Sequence, residues 1–243
     1  PSPSAPVTRE LFSTALYNDA NLQAYYRLEG NANDAKGSTN GTVTGSTFSN
    51  ANGKFNQGIV FNGSSDKVIF PTNASAWKQT GNFTVSAWYK QGSAQNSVFL
   101  SCFSSASAIY GGWDLEVGYG TAHKVSFISA KNTGSTAGVD IKTLTGTVTV
   151  DDGAWHLITA VYDGSKLYLY IDGSLDNSVE WANNAVYGTN AYPVMGMKKT
   201  DEFGESNWFN GQLDDVAIFN RALTATEISN LYTGAAFASP SSS

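Results

Sequence analysis

The amino-acid sequence predicts an all-β protein: a jelly-roll sandwich of two antiparallel sheets, with a short N-terminal helix and a C-terminal cap helix. Three observations lead to this prediction. Short apolar segments with a two-residue period recur along most of the chain. Asp-Gly and Asn-Gly pairs separate many of them. Charged residues make up only 14% of the 243 residues, and Asn, Ser, Thr and Gly replace them, as is typical of strands and turns.

The first predicted element is a helix at residues 8–18, because Leu11, Phe12 and Leu16 recur at helical spacing. Alternation then takes over, and the clearest strand is Phe83–Lys90, whose alternate residues are Phe, Val, Ala and Tyr. The other predicted strands are 24–28, 59–61, 68–70, 97–103, 113–117, 124–128, 145–150, 155–162, 166–171 and 213–219. Short strands with turns between them indicate a sandwich or a barrel.

The last predicted element is a helix that begins at Thr224. Thr224 and Glu227 have the spacing of a capping box, in which each side chain bonds to the other residue's backbone N–H. Ile228 and Leu231 then lie on one apolar face, and Gly234 occupies the position where a helix commonly ends.

A single domain at residues 8–234 is predicted, between Pro- and Ser-rich tails at 1–7 and 235–243 that resemble linkers. We therefore expect a monomeric module of a larger protein, located outside the cell or on its surface. The formal net charge is −6 and no Lys/Arg cluster occurs, which argues against nucleic-acid binding. No apolar run approaches the length of a membrane-spanning helix, so no membrane insertion is expected.

Four groups of segments, in order, carry a family resemblance. They are residues 26–34 with 40–42 and 59–63, then Phe83–Lys90, then 154–164 with 167–173, and finally 211–227. Over residues 22–234 the chain resembles laminin-G-like domains of the concanavalin A-like lectin/glucanase superfamily. The resemblance implies a jelly roll. Its members include carbohydrate-binding modules, adhesion domains and pentraxin-like lectins, with glycosidases and polysaccharide lyases as more distant relatives.

The resemblance also implies a structural calcium ion where the first loop meets the last strand. Carried over to this sequence, the metal ligands are Asp34 and Asp214, with Glu29 and carbonyl groups near Asn40 as further candidates. The loop at 29–41 is rich in the hard oxygen donors that calcium prefers. The alternative is a set of turns stabilised by Asn and Asp side chains, without a metal.

A glycan is the predicted ligand, because sugars stack on exposed aromatic rings while polar side chains bind their hydroxyl groups. Trp113, Trp181, Tyr192 and Trp208 are the predicted contact residues, since they lie in or beside Gly- and Asn-rich segments. The alternative is that these rings only cover a second hydrophobic layer. The other tryptophans are predicted in the core, at strand positions: Trp77, Trp88 and Trp155.

No catalytic pattern is evident in the sequence. Asp114 and Glu116 lie two residues apart on one strand face, but the carboxylate pattern of glycosidases with this fold is missing. His156 is predicted to be structural and Cys102 to be a buried apolar residue. The prediction is therefore a non-catalytic carbohydrate-binding or adhesion module. Two alternatives stay open: a glycoside hydrolase or polysaccharide lyase, and a structural spacer or protein-interaction domain of a surface or phage-tail-like assembly.

Overall fold

The computed structural model describes residues 17–91, 96–106, 109–131, 140–182, 191–201 and 204–234. The predicted N-terminal helix lies outside these ranges except for its last two residues, and both predicted tails lie outside them entirely.

The described chain is built mainly of short strands. In chain order they are β1 (Leu22–Tyr26), β2 (Thr42–Thr44), β3 (Thr47–Ser49), β4 (Gly58–Asn62), β5 (Lys67–Ile69), β6 (Phe83–Lys90), β7 (Ser97–Ala106), β8 (Ile109–Val117), β9 (Lys124–Lys131), β10 (Asp140–Thr149), β11 (His156–Tyr162), β12 (Lys166–Ile171), β13 (Ser174–Glu180), β14 (Tyr192–Met195), β15 (Lys198–Thr200), β16 (Gly204–Ser206) and β17 (Asn210–Phe219). A 3-10 helix spans Asn50–Asn52, and helix α1 spans Ala225–Thr233.

Two antiparallel sheets form the sandwich, which confirms the predicted fold class. The first sheet has eight strands in the order β13-β12-β11-β6-β17-β4-β3, with β1 also paired to β17. The second has seven, in the order β10-β9-β8-β7-β14-β5-β2. A separate two-stranded hairpin, β15–β16, lies beside them. Non-sequential neighbours such as β6 beside β17 give the jelly-roll connectivity.

Period-two alternation builds the core between the sheets. On β6, Val85 and Tyr89 belong to this core, whereas Trp88 belongs to a second apolar cluster on the other face. Trp77 and Trp113 lie at the centre of the core with their rings stacked at 5.7 Å. Cys102 is fully buried, as predicted.

Helix α1 covers the outer face of the first sheet. Its buried residues Ile228 and Leu231 pack in the second apolar cluster with Trp88. The capping box of Thr224 and Glu227 is present as predicted. Among the described residues, no helix is long and apolar enough to cross a membrane.

Candidate functional site

Charged side chains are buried on the outer face of the second sheet. Trp113 and Leu115 of β8 point into the core, so Asp114 and Glu116 between and after them lie on the opposite face. Asp114 is 0% and Glu116 2% exposed. Ser101, the cross-strand partner of Asp114, donates its hydroxyl to Asp114 Oδ1 at 2.5 Å. A carboxylate buried on the face of a sheet is unusual, because removing its charge from water costs free energy.

Lys198 supplies the counter-charge from the β15–β16 hairpin. Its Nζ lies 2.5 Å from Asp114 Oδ2 and 4.1 Å from the centre of the Phe103 ring. This ion pair and this cation–π contact join the hairpin to the outer face of the second sheet. Burial opposes the charge of Lys198, but the nearby Asp114 carboxylate more than offsets it and raises the lysine pKa.

Glu116 lies in the same cluster, and its pKa is raised. Burial, and then the charge of Asp114, raise the pKa of Glu116 from 4.5 to about 8. Its Oε1 atom is buried and has no hydrogen-bond partner among the described residues. Glu116 is therefore a neutral carboxylic acid at pH 7, beside the ion pair of Asp114 and Lys198.

The solvent side of the hairpin combines aromatic rings with paired charges. Lys199 Nζ lies 5.2 Å from the Tyr192 ring centre and 3.7 Å from Glu205 Oε1. Glu205 Oε2 binds Lys67 Nζ at 2.6 Å, and this ammonium lies 5.6 Å from the Trp208 ring. We call these five residues the hairpin surface. Tyr192 and Trp208 are both half-buried, so each presents part of its ring to solvent.

The structure thus brings together two of the four predicted ligand-contact residues. The Tyr192 hydroxyl also donates to Asp201 Oδ1 at 2.5 Å, just after β15. Sequence reasoning missed the lysines and the glutamate that join the two rings. A signal was present, because Lys198-Lys199-Thr200-Asp201 is an unusually charged run in a chain with few charges.

Trp113 lies in the core, a position that does not suit the predicted contact with a ligand. It is fully buried, stacks on Trp77, and its indole N–H donates to the Trp77 carbonyl at 3.1 Å. The glycines before it belong to strand β8 and not to a loop. At Gly112 an added Cβ would lie 2.0 Å from the Cys102 carbonyl oxygen, so glycine is required there by a close approach of two strands.

Trp181 is also unsuited to the predicted contact. It is 7% exposed and belongs to the main core, and its indole N–H donates to Ser129 Oγ at 3.2 Å. Its backbone N–H donates to the Ser165 carbonyl at 2.7 Å. For Trp181 the alternative of a ring that covers the core is the better interpretation.

Asp34 and Asn40, two of the residues predicted around the calcium ion, accept backbone hydrogen bonds. Asp34 Oδ1 accepts from the N–H groups of Tyr25 and Lys36, and Oδ2 accepts from Thr39. Asn40 Oδ1 accepts from the Asp34 N–H at 2.9 Å. These contacts are those of a loop stabilised by Asn and Asp side chains. Glu29 is half-buried at the start of the same loop.

Asp214 lies on the last strand and also accepts backbone hydrogen bonds. It is fully buried; Oδ2 accepts from the Phe55 N–H and Oδ1 from that of Asp215, both at 2.9 Å. Asp215 adopts a φ of 45° at a bulge, and its carboxylate accepts from the Tyr25 hydroxyl at 2.6 Å. Among the described residues, no group of three or more His, Cys, Asp or Glu side chains is arranged to hold a metal ion. Calcium stays a prediction, and the donor geometry does not favour it.

Comparison with known proteins supports the fold and its superfamily. A laminin G family model, described as the concanavalin A-like lectin/glucanases superfamily, matches residues 62–229. No match is found among curated protein sequences.

Several solved structures share the fold at low sequence identity. The binding domain of Paraclostridial Mosquitocidal Protein 1 superposes with a TM-score of 0.67 and 17% identity, over 87% of this chain and 52% of that one. A structure of botulinum neurotoxin type C, a toxin whose cell entry depends on interaction with two ganglioside molecules, gives a TM-score of 0.65 and 14% identity, over 93% of this chain and 53% of that one. The chain thus spans about half the length of these toxin chains.

One solved structure is matched over its whole length. Domain 4 of AbnA, an extracellular arabinanase from Geobacillus stearothermophilus solved in complex with arabinotriose, gives a TM-score of 0.61 and 19% identity. The match covers 88% of this chain and 100% of that domain.

Proposed function

Because this chain belongs to the concanavalin A-like lectin/glucanase superfamily, we propose that it is a non-catalytic glycan-binding module of a larger extracellular protein. We place the binding site at the hairpin surface. One observation carries this proposal: the half-buried rings of Tyr192 and Trp208 flank a continuous strip of paired charges.

This combination suits a sugar chain for physical reasons. A half-buried ring offers a rigid apolar face for the C–H groups of a sugar at low entropic cost. Lys67, Lys199 and Glu205 supply donors and acceptors for hydroxyl groups between the two rings. The hairpin is held by the buried pair of Lys198 and Asp114, so the site is ordered before a ligand arrives.

The structural relatives are consistent with this proposal. One neighbour was solved with arabinotriose, and another is described by its interaction with gangliosides. At such low identity they support the choice of ligand class only, and the sugar itself has to be found by experiment.

A glycan array followed by calorimetry with the best ligand tests the proposal. Trp208→Ala and Tyr192→Ala should each weaken binding about tenfold or more, since a lost stacking contact costs on the order of 1–2 kcal/mol. Tyr232→Ala is the matched control, because this ring is 41% exposed on the opposite side of the sandwich. Unchanged binding in both hairpin variants would refute the site, and silence on the array would favour the spacer alternative.

The predicted structural calcium is a separate proposal that glycan binding at the hairpin surface does not require. Thermal unfolding with EDTA and with added Ca²⁺ tests it. A structural ion bound near Asp34 and Asp214 should raise the Tm, because a ligand that binds only the native state stabilises it. Equal Tm values in both conditions would end the prediction.

Glycoside hydrolysis is a second candidate function, favoured by the pair on β8. Glu116 is a neutral acid and Asp114 an ion-paired carboxylate on the same strand face, and glycosidases use an acid beside a carboxylate. The near-complete burial of both groups argues for the binding function instead. Release of reducing sugar from a polysaccharide panel, abolished in Glu116→Gln, would establish the enzyme.

A further inference from the structure

A polar pocket opens on the first sheet, at the start of β17. Its volume is about 300 Å³, and it is lined by Val60, Phe61, Lys90, Gln91, Gly153, Asn210, Gly211 and Gln212. The central strand β17 contributes Gln212, whose cross-strand partners are Val60 on β4 and Lys90 on β6. Cross-strand partners share a face, so the side chains of Val60, Gln212 and Lys90 lie in one row, with neighbouring Cβ atoms about 5 Å apart.

Gln212 has hydrogen-bonding capacity that the protein does not use. Its Oε1 atom is buried and has no hydrogen-bond partner among the described residues. Its Nε2 makes one long contact, 3.4 Å, to Asn52 Oδ1. A buried acceptor without a donor costs free energy, and a ligand that brings an N–H or O–H group recovers that cost.

Lys90 provides the donor that complements this acceptor. It is half-buried, lines the same pocket, and forms no ion pair within the described part of the chain. Nearby, Asp151 and Asp152 precede Gly153 in the turn that closes the pocket, and both bind histidines. These carboxylates disfavour an anionic ligand, so the pocket suits a neutral group that both donates and accepts.

We propose that this pocket binds the acetamido group of a single N-acetylhexosamine residue. A rotation of the Gln212 side chain turns its Oε1 atom toward the pocket, where the acetamido N–H donates to it. The acetamido carbonyl oxygen accepts from the Lys90 ammonium. The methyl group packs against Val60. A pocket of this size accommodates one sugar ring, and Asn210 at the rim is exposed for its hydroxyl groups.

A nuclear magnetic resonance titration of the full chain with methyl N-acetyl-β-D-glucosaminide tests the proposal. Methyl β-D-glucoside, which has a hydroxyl group in place of the acetamido group, is the matched ligand. We expect resonances of Gln212 and its strand neighbours to shift, and the acetamido sugar to bind about tenfold more tightly. Equal affinity for the two sugars, or shifts confined to other regions, would overturn the proposal.

Two variants separate this pocket from the rest of the molecule. Gln212→Leu should abolish the preference for the acetamido sugar while leaving the free energy of unfolding unchanged or higher, because it removes an unsatisfied buried acceptor. Gln79→Leu is the control, since its amide is bonded to the Ser75 and Ala76 carbonyls outside the pocket. Retained preference in Gln212→Leu would contradict the assignment. Tyr192→Ala should not change this preference, because Tyr192 does not line the pocket, so the two binding sites are tested separately.

Discussion

The two sheets differ in what they bury on their outer faces. The first sheet buries an apolar cluster there, in which Trp88 and Leu157 pack with Ile228 and Leu231. The second sheet buries Asp114 and Glu116, and Lys198 of the β15–β16 hairpin pairs with Asp114. Burial of apolar surface stabilises the fold. Burial of a charge destabilises it by several kcal/mol, and ion pairing offsets only part of that. The outer face of the first sheet therefore stabilises the fold. The charged groups on the outer face of the second sheet are not explained by stability alone.

Truncating Trp88 should have the largest effect, since it empties the centre of the apolar face. Its ring is 1% exposed and lies 5.8 Å from Phe55 and 5.7 Å from Tyr232. We expect Trp88→Ala to lower the free energy of unfolding in urea by about 3–5 kcal/mol. Trp155→Ala, at a half-buried position beside the same cluster, should cost much less. Equal losses would show that this face is not tightly packed.

Removing the ammonium of Lys198 tests the charged face. Lys198→Met keeps most of the aliphatic stem over Phe103 but leaves Asp114 without its counter-charge. We expect a loss of about 3 kcal/mol in urea unfolding, because the remaining carboxylate stays buried. Adding Asp114→Asn should recover much of this loss, since the amide carries no charge. A double variant as unstable as Lys198→Met would mean that the ion pair is not the source of the effect.

The pH dependence of stability tests the neutral state of Glu116. With its pKa raised from 4.5 to about 8, the folded protein holds this proton more tightly than the unfolded chain does. The free energy of unfolding therefore falls as pH rises from 4.5 to 8. Glu116→Gln should flatten this decline and gain roughly 1–3 kcal/mol over wild type at pH 8. Glu180→Gln, on a side chain that is 75% exposed, is the control. A parallel decline in Glu116→Gln would contradict the assignment.

The sequence pattern predicts strand β6 well, because its alternation is decided locally. Phe83–Lys90 has the predicted bounds and faces, since eight alternating residues allow only one face toward the core. The strands β2, β14 and β15 have three or four residues, which is too short to show a period, and they are not predicted; neither is the seven-residue β13. They exist because neighbouring strands pair with them, which is information from distant parts of the chain.

The candidate site was harder to predict for the same reason. The shared face of Asp114 and Glu116 follows from alternation alone. Their pairing with Lys198 depends on a hairpin far along the chain that folds across the sheet. Trp113 is predicted at the start of a strand and as a ligand contact because a Gly-rich segment precedes it, whereas Gly112 lies in strand β8 and allows two strands to approach closely. Glycine signals a backbone requirement, and only the fold shows which one.

The smallest expected effect concerns the helix that covers the first sheet. Thr224 Oγ1 accepts from the Glu227 N–H at 3.3 Å, and Glu227 Oε2 accepts from the Thr224 N–H at 2.8 Å. Thr224→Ala should lower the free energy of unfolding by about 1 kcal/mol, since one backbone donor of the first turn loses its partner. Thr224→Ser keeps the hydroxyl and should stay near wild type in the same urea experiment. If serine costs as much as alanine, the methyl group rather than the cap stabilises α1, and the apolar face is closed by packing alone.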